Sequence, residues 1–132
     1  MQEIKNKIFH TLLENRHKNC AVLWSGGALS GLVWYLSYKE LDIKLPVFLI
    51  DDGSFAPNFY SFVISTKRKY KIDLQIVQVD TNKTQEKMLE IQNAYDVVYT
   101  GKACEYGTCI VPEGQETWNL IKMLRIPYFR SK

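Results

Sequence analysis

The chain has little of several things, and each shortage excludes a class of protein. It has three cysteines among 132 residues. An odd, small number in a reducing compartment argues against a disulfide framework. No stretch reaches the ~18 consecutive apolar residues of a membrane span. Met1 to Lys7 lead into no apolar signal core, so the expected location is cytoplasmic. Charge is nearly balanced, with 17 basic against 14 acidic residues and a net +3. The densest basic cluster, Lys67-Arg68-Lys69 with Lys71, falls late in a predicted helix, where the helix dipole and solvent account for it. Nucleic acid is therefore not an expected partner. Only two histidines are present, His10 and His17, both on the predicted first helix. Zinc needs about four ligands, so Cys104 and Cys109 are not expected to hold a metal. Those two read as ordinary cysteines or as a redox pair across a turn. No internal repeat, low-complexity segment or linker interrupts the chain, and its length suits one domain.

Apolar residues make up 46% of the chain, enough for a substantial core, and they are distributed in an alternating order. Residues 3–17 carry an apolar helical stripe of Ile4, Ile8, Leu12 and Leu13. Cys20 to Trp24 is a short continuous apolar run, as in a strand covered on both faces. A helix over 28–40 turns Leu29, Leu32, Val33 and Leu36 inward. Leu45 to Ile50 is a second buried strand, and Asp51-Asp52-Gly53-Ser54 is the turn at its end. Pro57 opens a helix over 57–70, with Phe59, Phe62, Val63 and Tyr70 on its core face. A third strand covers 72–79. Thr81 or Asn82 caps a helix over 84–93. Asp96 to Thr100 is a fourth strand, residues 102–112 form a loop, and a last helix runs from Glu116 to Leu124.

Alternating strands and helices predict an α/β fold, a three-layer doubly wound parallel sheet of four to five strands with helices on both faces. In such sheets ligands bind outside the carboxyl ends of the strands, where the strand order reverses. Ser25-Gly26-Gly27, Asp51-Asp52-Gly53, Asp80-Thr81 and Gly101-Lys102 all fall at such ends. The first of these is the sharpest signal. A Gly-Gly turn between a buried strand and a helix presents free backbone N–H groups and the positive end of the helix dipole to an anion. Neither Gly-x-x-x-x-Gly-Lys-Ser/Thr nor Gly-x-Gly-x-x-Gly is present.

The stretch Ser25-Gly26-Gly27-Ala28-Leu29-Ser30 resembles the PP-loop of the ATP pyrophosphatases, whose pattern is Ser-Gly-Gly-x-Asp-Ser. Within that superfamily the chain is most similar to the phosphoadenosine phosphosulfate reductases and the small subunit of ATP sulfurylase. Pro46 to Gly53 is similar to that family's second strand, which ends in Asp-Thr-Gly. Pro57-Asn-Phe-Tyr-Ser-Phe62 is similar to the helix after it. Thr117-Trp118 and Ile126-Pro127-Tyr128 resemble a tryptophan-bearing helix followed by Ile-Pro. The resemblance implies an adenine nucleotide alpha hydrolase-like fold. It implies that Ser25, Gly26, Gly27 and Ser30 hold the phosphates of ATP or another adenine nucleotide, with Mg²⁺ assisting. Backbone groups at Leu23, Trp24 and Ile50 would help select adenine, and Asp51 and Asp52 would lie near the ribose or base. Gly101 and Lys102, after the fourth strand, complete the expected site. Lys102 is either a phosphate contact or a solvated loop lysine.

The chain departs from the family at two places. Leu29 stands where the loop has Asp, and Ala28 where it often has Lys. The stretch from Gly101 to Trp118 is too short for the family's substrate-binding arm, and the reductases' C-terminal cysteine segment is absent. Two functions stay open: an enzyme acting on ATP or an adenylylated sulfur compound, and a catalytically inactive nucleotide-binding or protein-interaction module. Small size favours a homo-oligomer. Any exposed part of Trp34, Tyr35 and Tyr38 would mark an interface, and Tyr128-Phe129 either docks on the sheet edge or reaches a second subunit.

Overall fold

The structure is a computed structural model and describes residues 2–101 and 105–130. Helix α1 (Gln2–Glu14) precedes β1 (Cys20–Leu23), α2 (Ala28–Lys39), β2 (Val47–Asp51), α3 (Pro57–Tyr70) and β3 (Leu74–Gln78). A 3₁₀ turn (Thr81–Lys83) leads into α4 (Thr84–Ala94), followed by β4 (Val97–Thr100), β5 (Thr108–Cys109) and α5 (Gln115–Leu124). The five strands form one sheet in the order β3-β2-β1-β4-β5, and every pairing is parallel. The chain winds outward from β1 to β3, then crosses back to place β4 on the other side of β1. The order therefore reverses between β1 and β4, and a crevice opens beyond their carboxyl ends.

Alternation along β1 divides the core in two. Cys20, Val22 and Trp24 join the larger cluster, which takes Ile4, Ile8 and Leu12 from α1, Leu32, Val33 and Leu36 from α2, Phe59 and Val63 from α3, and Leu120 and Ile121 from α5. Ala21 and Leu23 point the other way, with Phe48, Val98 and Ile91 of α4. Four helices thus cover one face of the sheet and α4 covers the other. Among the described residues no helix is long and apolar enough to cross a membrane.

The expected elements form, with differences that have local causes. The first helix ends at Glu14, and residues 15–17 make a turn closed by Lys18 N–H on the Asn15 carbonyl (2.9 Å). The third strand is shorter than expected, Leu74–Gln78. Neither Thr81 nor Asn82 caps α4. Both lie in the 3₁₀ turn closed by Lys83 N–H on the Asp80 carbonyl (2.8 Å), and the Thr81 hydroxyl donates to the Asp52 carbonyl. The segment read as a loop over 102–112 contains β5. Gly107 makes that pairing feasible, because a β-carbon there would stand 2.7 Å from the Val98 carbonyl oxygen.

The aromatic surface of α2 is core. Trp34 is fully buried and Tyr38 nearly so, with Trp34 edge-on to Trp24, Tyr38 and Tyr70. Tyr35 is half-buried against Tyr70. Helix α2 is apolar nearly all round because it is enclosed by neighbouring elements, including α1. Trp34 and Tyr38 are thus occupied within the core, and only Tyr35 keeps part of its surface exposed. The basic run Lys67, Arg68 and Lys69 lies in the last turn of α3, where it complements the helix dipole.

Candidate functional site

The site begins where β1 ends. Trp24 is buried, Ser25 is exposed, and Gly26 takes a left-handed φ of +85°. Gly27 then returns to extended backbone as the cap of α2, with no side chain capping it. The first bond of that helix runs from Gly31 N–H to the Gly27 carbonyl (3.1 Å). The preceding N–H groups of Ala28, Leu29 and Ser30 have no place in the helical ladder, and the positive end of the dipole lies among them. The Trp24 indole N–H also donates to the Gly27 carbonyl (3.1 Å), fixing the turn to the strand before it.

Around this turn lies a cleft of about 550 Å³. Ser25, Gly27 and Ala28 to Ser30 form one end. Leu23, Trp24, Phe48, Leu49 and Ile50, from the carboxyl ends of β1 and β2, form the wall. Thr100 and Gly101 close it beyond β4, and Phe55, Thr84, Met88 and Trp118 complete the rim. A β-carbon at position 101 would sit 3.4 Å from the Ser30 amide nitrogen. Glycine there leaves that donor uncovered. Among the described residues lining the cleft, Asp52 is the one charged side chain. Hydrogen bonds donated by the Ser54 hydroxyl and backbone N–H hold its carboxyl below the usual carboxylate range.

Of the residues singled out in the sequence, Leu23, Trp24, Ser25, Gly27, Ser30, Ile50, Asp52 and Gly101 are brought together on this cleft. Gly26 and Asp51 are not. Gly26 is buried behind the turn, where its carbonyl accepts the Phe129 N–H (2.8 Å). Asp51 is buried and accepts the Gly53 N–H (2.8 Å) and the Tyr60 hydroxyl (2.7 Å). It faces a separate depression shared with Gln78, Asp80 and Lys83. That bond is the largest cause of the raised pKa of Tyr60, followed by desolvation. Lys102 and Cys104 lie outside the described residues. Cys20 is buried, and desolvation raises its thiol pKa. Cys109 is exposed. Among the described residues no three His, Cys, Asp or Glu side chains are grouped to hold a metal ion.

Sequence reasoning did not place Phe48, Leu49, Phe55, Thr84, Met88, Thr100 and Trp118 on the cleft. A signal existed for two of them. Thr84 and Met88 are four apart at the start of a helix that follows a strand end, so they share the face turned to the crevice. The loop residue Phe55 carries no periodicity that would have placed it.

Phe129 docks on α3 and the Gly26 turn, its ring 5.0 Å from Phe59 and 5.9 Å from Phe62 between centroids.

The fold agrees with what the chain is similar to. Among solved structures, it matches the U34-tRNA thiolase NcsA from Methanococcus maripaludis, solved with its [4Fe-4S] cluster. The match has a TM-score of 0.67 at 16% identity and covers 99% of this chain but 66% of that one. At that identity the likeness shows the fold alone. No curated protein sequence matches the chain. The phosphoadenosine phosphosulfate reductase domain family matches residues 19–117, the span from the start of β1 into α5 that carries the loop and all of the cleft lining but Trp118. The chain belongs to the phosphoadenosine phosphosulfate reductase domain family, within the PP-loop group.

Proposed function

We propose that this domain binds an adenine nucleotide in the cleft, with phosphate at the Ser25–Ser30 turn and the base against the apolar wall. The observation that carries the reading is the junction of two unlike surfaces in one cleft: helix N-terminal N–H groups with the Ser25 and Ser30 hydroxyls at one end, and Leu23, Phe48, Ile50 and Phe55 along the side. Phosphate is recognised by the first. A flat apolar base, selected by strand-end backbone groups, suits the second. Hydrogen bonds from backbone N–H groups to a charged phosphate contribute ~1.5–3 kcal/mol each when made, which together with base burial must outweigh the association and ordering costs of binding.

A more specific form of the reading is binding without cleavage of a phosphate bond. Leu29 and Ala28 favour it. Leucine supplies no carboxylate to orient a loop or a cation, and alanine no ammonium to meet a phosphate. In this reading Mg²⁺ arrives with the nucleotide. Such an ion keeps several waters and uses one or two carboxylates with the substrate phosphates. Asp52 is the acidic side chain on the cleft that fits this role. The thiolase's iron–sulfur cluster is not carried over, because cluster ligands are cysteines and Cys20 is committed to the core.

Calorimetry with ATP, AMP and adenosine 3′-phosphate 5′-phosphosulfate, each with and without Mg²⁺, tests binding. Assay of AMP and pyrophosphate release tests turnover. Binding of at least one nucleotide is expected, without release above buffer. No heat and no thermal shift with any of them would end the nucleotide reading.

A further inference from the structure

We propose that the segment Ile126 to Phe129 is the positioning element of the phosphate loop, and that Phe129 holds the Gly26-Gly27 turn in its anion-binding shape. The proposal rests on the loop being the site named above, but its structural half stands without any ligand. Three contacts carry it. The Phe129 N–H donates to the Gly26 carbonyl at 2.8 Å. The Phe129 ring packs edge-on against Phe59, 5.0 Å between centroids, and Phe59 in turn fills the space beside Gly26 where a β-carbon would be 2.6 Å from its ring. Just upstream, Ile126 and the Pro127 carbonyl approach Gly31, with a β-carbon there 3.5 and 3.6 Å from them. One short segment therefore touches the turn before α2 and the first turn of the helix itself.

The need for such an element follows from the loop's own chemistry. The cap of α2 has no side-chain hydrogen bond, and the turn includes two glycines, which have the most backbone freedom to lose. Backbone donors recognise an anion well only when they are held in place beforehand. Trp24 fixes the Gly27 carbonyl from the strand side, and Phe129 fixes the Gly26 carbonyl from the other. The same segment also touches the rim of the cleft. The Tyr128 ring lies edge-on to Trp118, 6.0 Å between centroids, and Trp118 lines the cleft with 38% of its surface exposed. Occupation of the cleft and docking of this segment then reinforce each other, since coupling between two sites is reciprocal.

The test uses the whole chain with Phe129→Ala and the conservative Phe129→Leu, read by amide hydrogen exchange in the absence of ligand. In Phe129→Ala the amides of residue 129 and Gly31 and the Trp24 indole N–H exchange ~10-fold faster, while amides in α1 and in α4 on the far face of the sheet stay within ~2-fold of wild type. Both variants keep the backbone N–H; Phe129→Leu, which also keeps a larger apolar side chain, falls between. Unchanged exchange at Gly31 and Trp24 in a folded Phe129→Ala protein overturns the proposal. A uniform acceleration across the chain overturns it too, because Phe129 would then be an ordinary packing residue. Calorimetry with ATP and AMP is the second arm, with affinity ~10-fold weaker in Phe129→Ala. If wild-type protein binds neither nucleotide, the functional reading fails, and the ligand-free exchange still decides the positioning role.

Discussion

Replacing Gly26 by alanine separates two costs that are usually confounded, because Gly53 supplies a matched control. Gly26 has φ +85° and Gly53 has φ +86°, so either substitution forces alanine into the left-handed region at ~1–2 kcal/mol. Either one also removes freedom from the unfolded chain, which offsets ~0.4–1 kcal/mol. There the likeness ends. A β-carbon at Gly53 meets nothing within 4 Å, whereas one at Gly26 lies 2.6 and 2.9 Å from two ring carbons of Phe59. Phe59 cannot easily yield. It is 4% exposed, stacked on Phe55 at 4.3 Å and edge-on to Phe129. Overpacking of this kind adds ~1–3 kcal/mol. Urea unfolding with equal m-values is expected to show Gly53→Ala less stable by ~1 kcal/mol and Gly26→Ala by ~2–4 kcal/mol. At this size each kcal/mol moves Tm by ~3–4 °C. Adding Phe59→Leu to Gly26→Ala is expected to recover part of the loss, with a coupling of ~1 kcal/mol in the double-mutant cycle. If Gly26→Ala is no worse than Gly53→Ala, the claim that Phe59 sets the shape of the turn is refuted.

Two further substitutions probe other parts of the chain. The Tyr99 side chain is buried, with its hydroxyl close to the Cys20 thiol and Asn15, and desolvation first, then Cys20, push its pKa to about 12 from 10.0. The folded state holds this proton more tightly than the unfolded one, so the contribution is intact below pH 10 and lost as pH rises toward 12, by about 3 kcal/mol. Tyr99→Phe should remove that loss in alkaline urea titrations and change stability at pH 7 by no more than ~1 kcal/mol. Burial also raises Tyr38, so the variant keeps a smaller alkaline decline; a wild-type decline that survives in full would refute the assignment. Leu29→Asp places a carboxylate in the first turn of α2, where the dipole favours it by ~0.3–1 kcal/mol, against lost packing of Leu29 on the core. The expected result is a gain of Mg²⁺-dependent pyrophosphate release from ATP; retained ATP binding with no release would show that Leu29 is not what withholds the chemistry.

What the sequence makes legible here is whatever local pattern controls. Cys20 to Leu23 and Val47 to Asp51 are apolar runs because both faces of those strands are covered, and Pro57 opens α3 where a missing N–H is harmless. The parallel order follows from alternation, and it brings Ser25, Asp52 and Gly101 to one cleft. The features that escape are set by distant partners. Strand β5 is two exposed residues long, too short for any period, and exists because Gly107 lets it approach β4. Trp34, Tyr35 and Tyr38 read as a surplus of aromatic surface, because nothing local says that Trp24 will pack against Trp34, that Tyr70 of α3 will pack against Trp34 and Tyr35, and that the Leu45 and Asp73 backbone will meet Tyr38. Asp51 and Asp52 are adjacent and chemically identical, yet strand alternation sends one to Tyr60 and the other to the cleft.

The glycines of the loop make the same point in a way that bears on function. A Ser-Gly-Gly turn in sequence is an inventory of donors and of conformational freedom, and the two work against each other. Free donors attract phosphate, but a turn free to rearrange must be ordered at the moment of binding. In this chain the ordering is done by groups with no charge: the Trp24 indole on the Gly27 carbonyl, the Phe129 N–H on the Gly26 carbonyl, and the Phe59 ring against Gly26. Gly101 contributes by absence, leaving the Ser30 N–H uncovered. Leu29 belongs with these, packed against the core where a carboxylate would instead have turned to solvent or metal. The loop is thus held in shape from three sides at the position where the family pattern has a charged side chain, and in the proposed reading that rigidity without the charge is what lets the site hold a phosphate rather than break its bond.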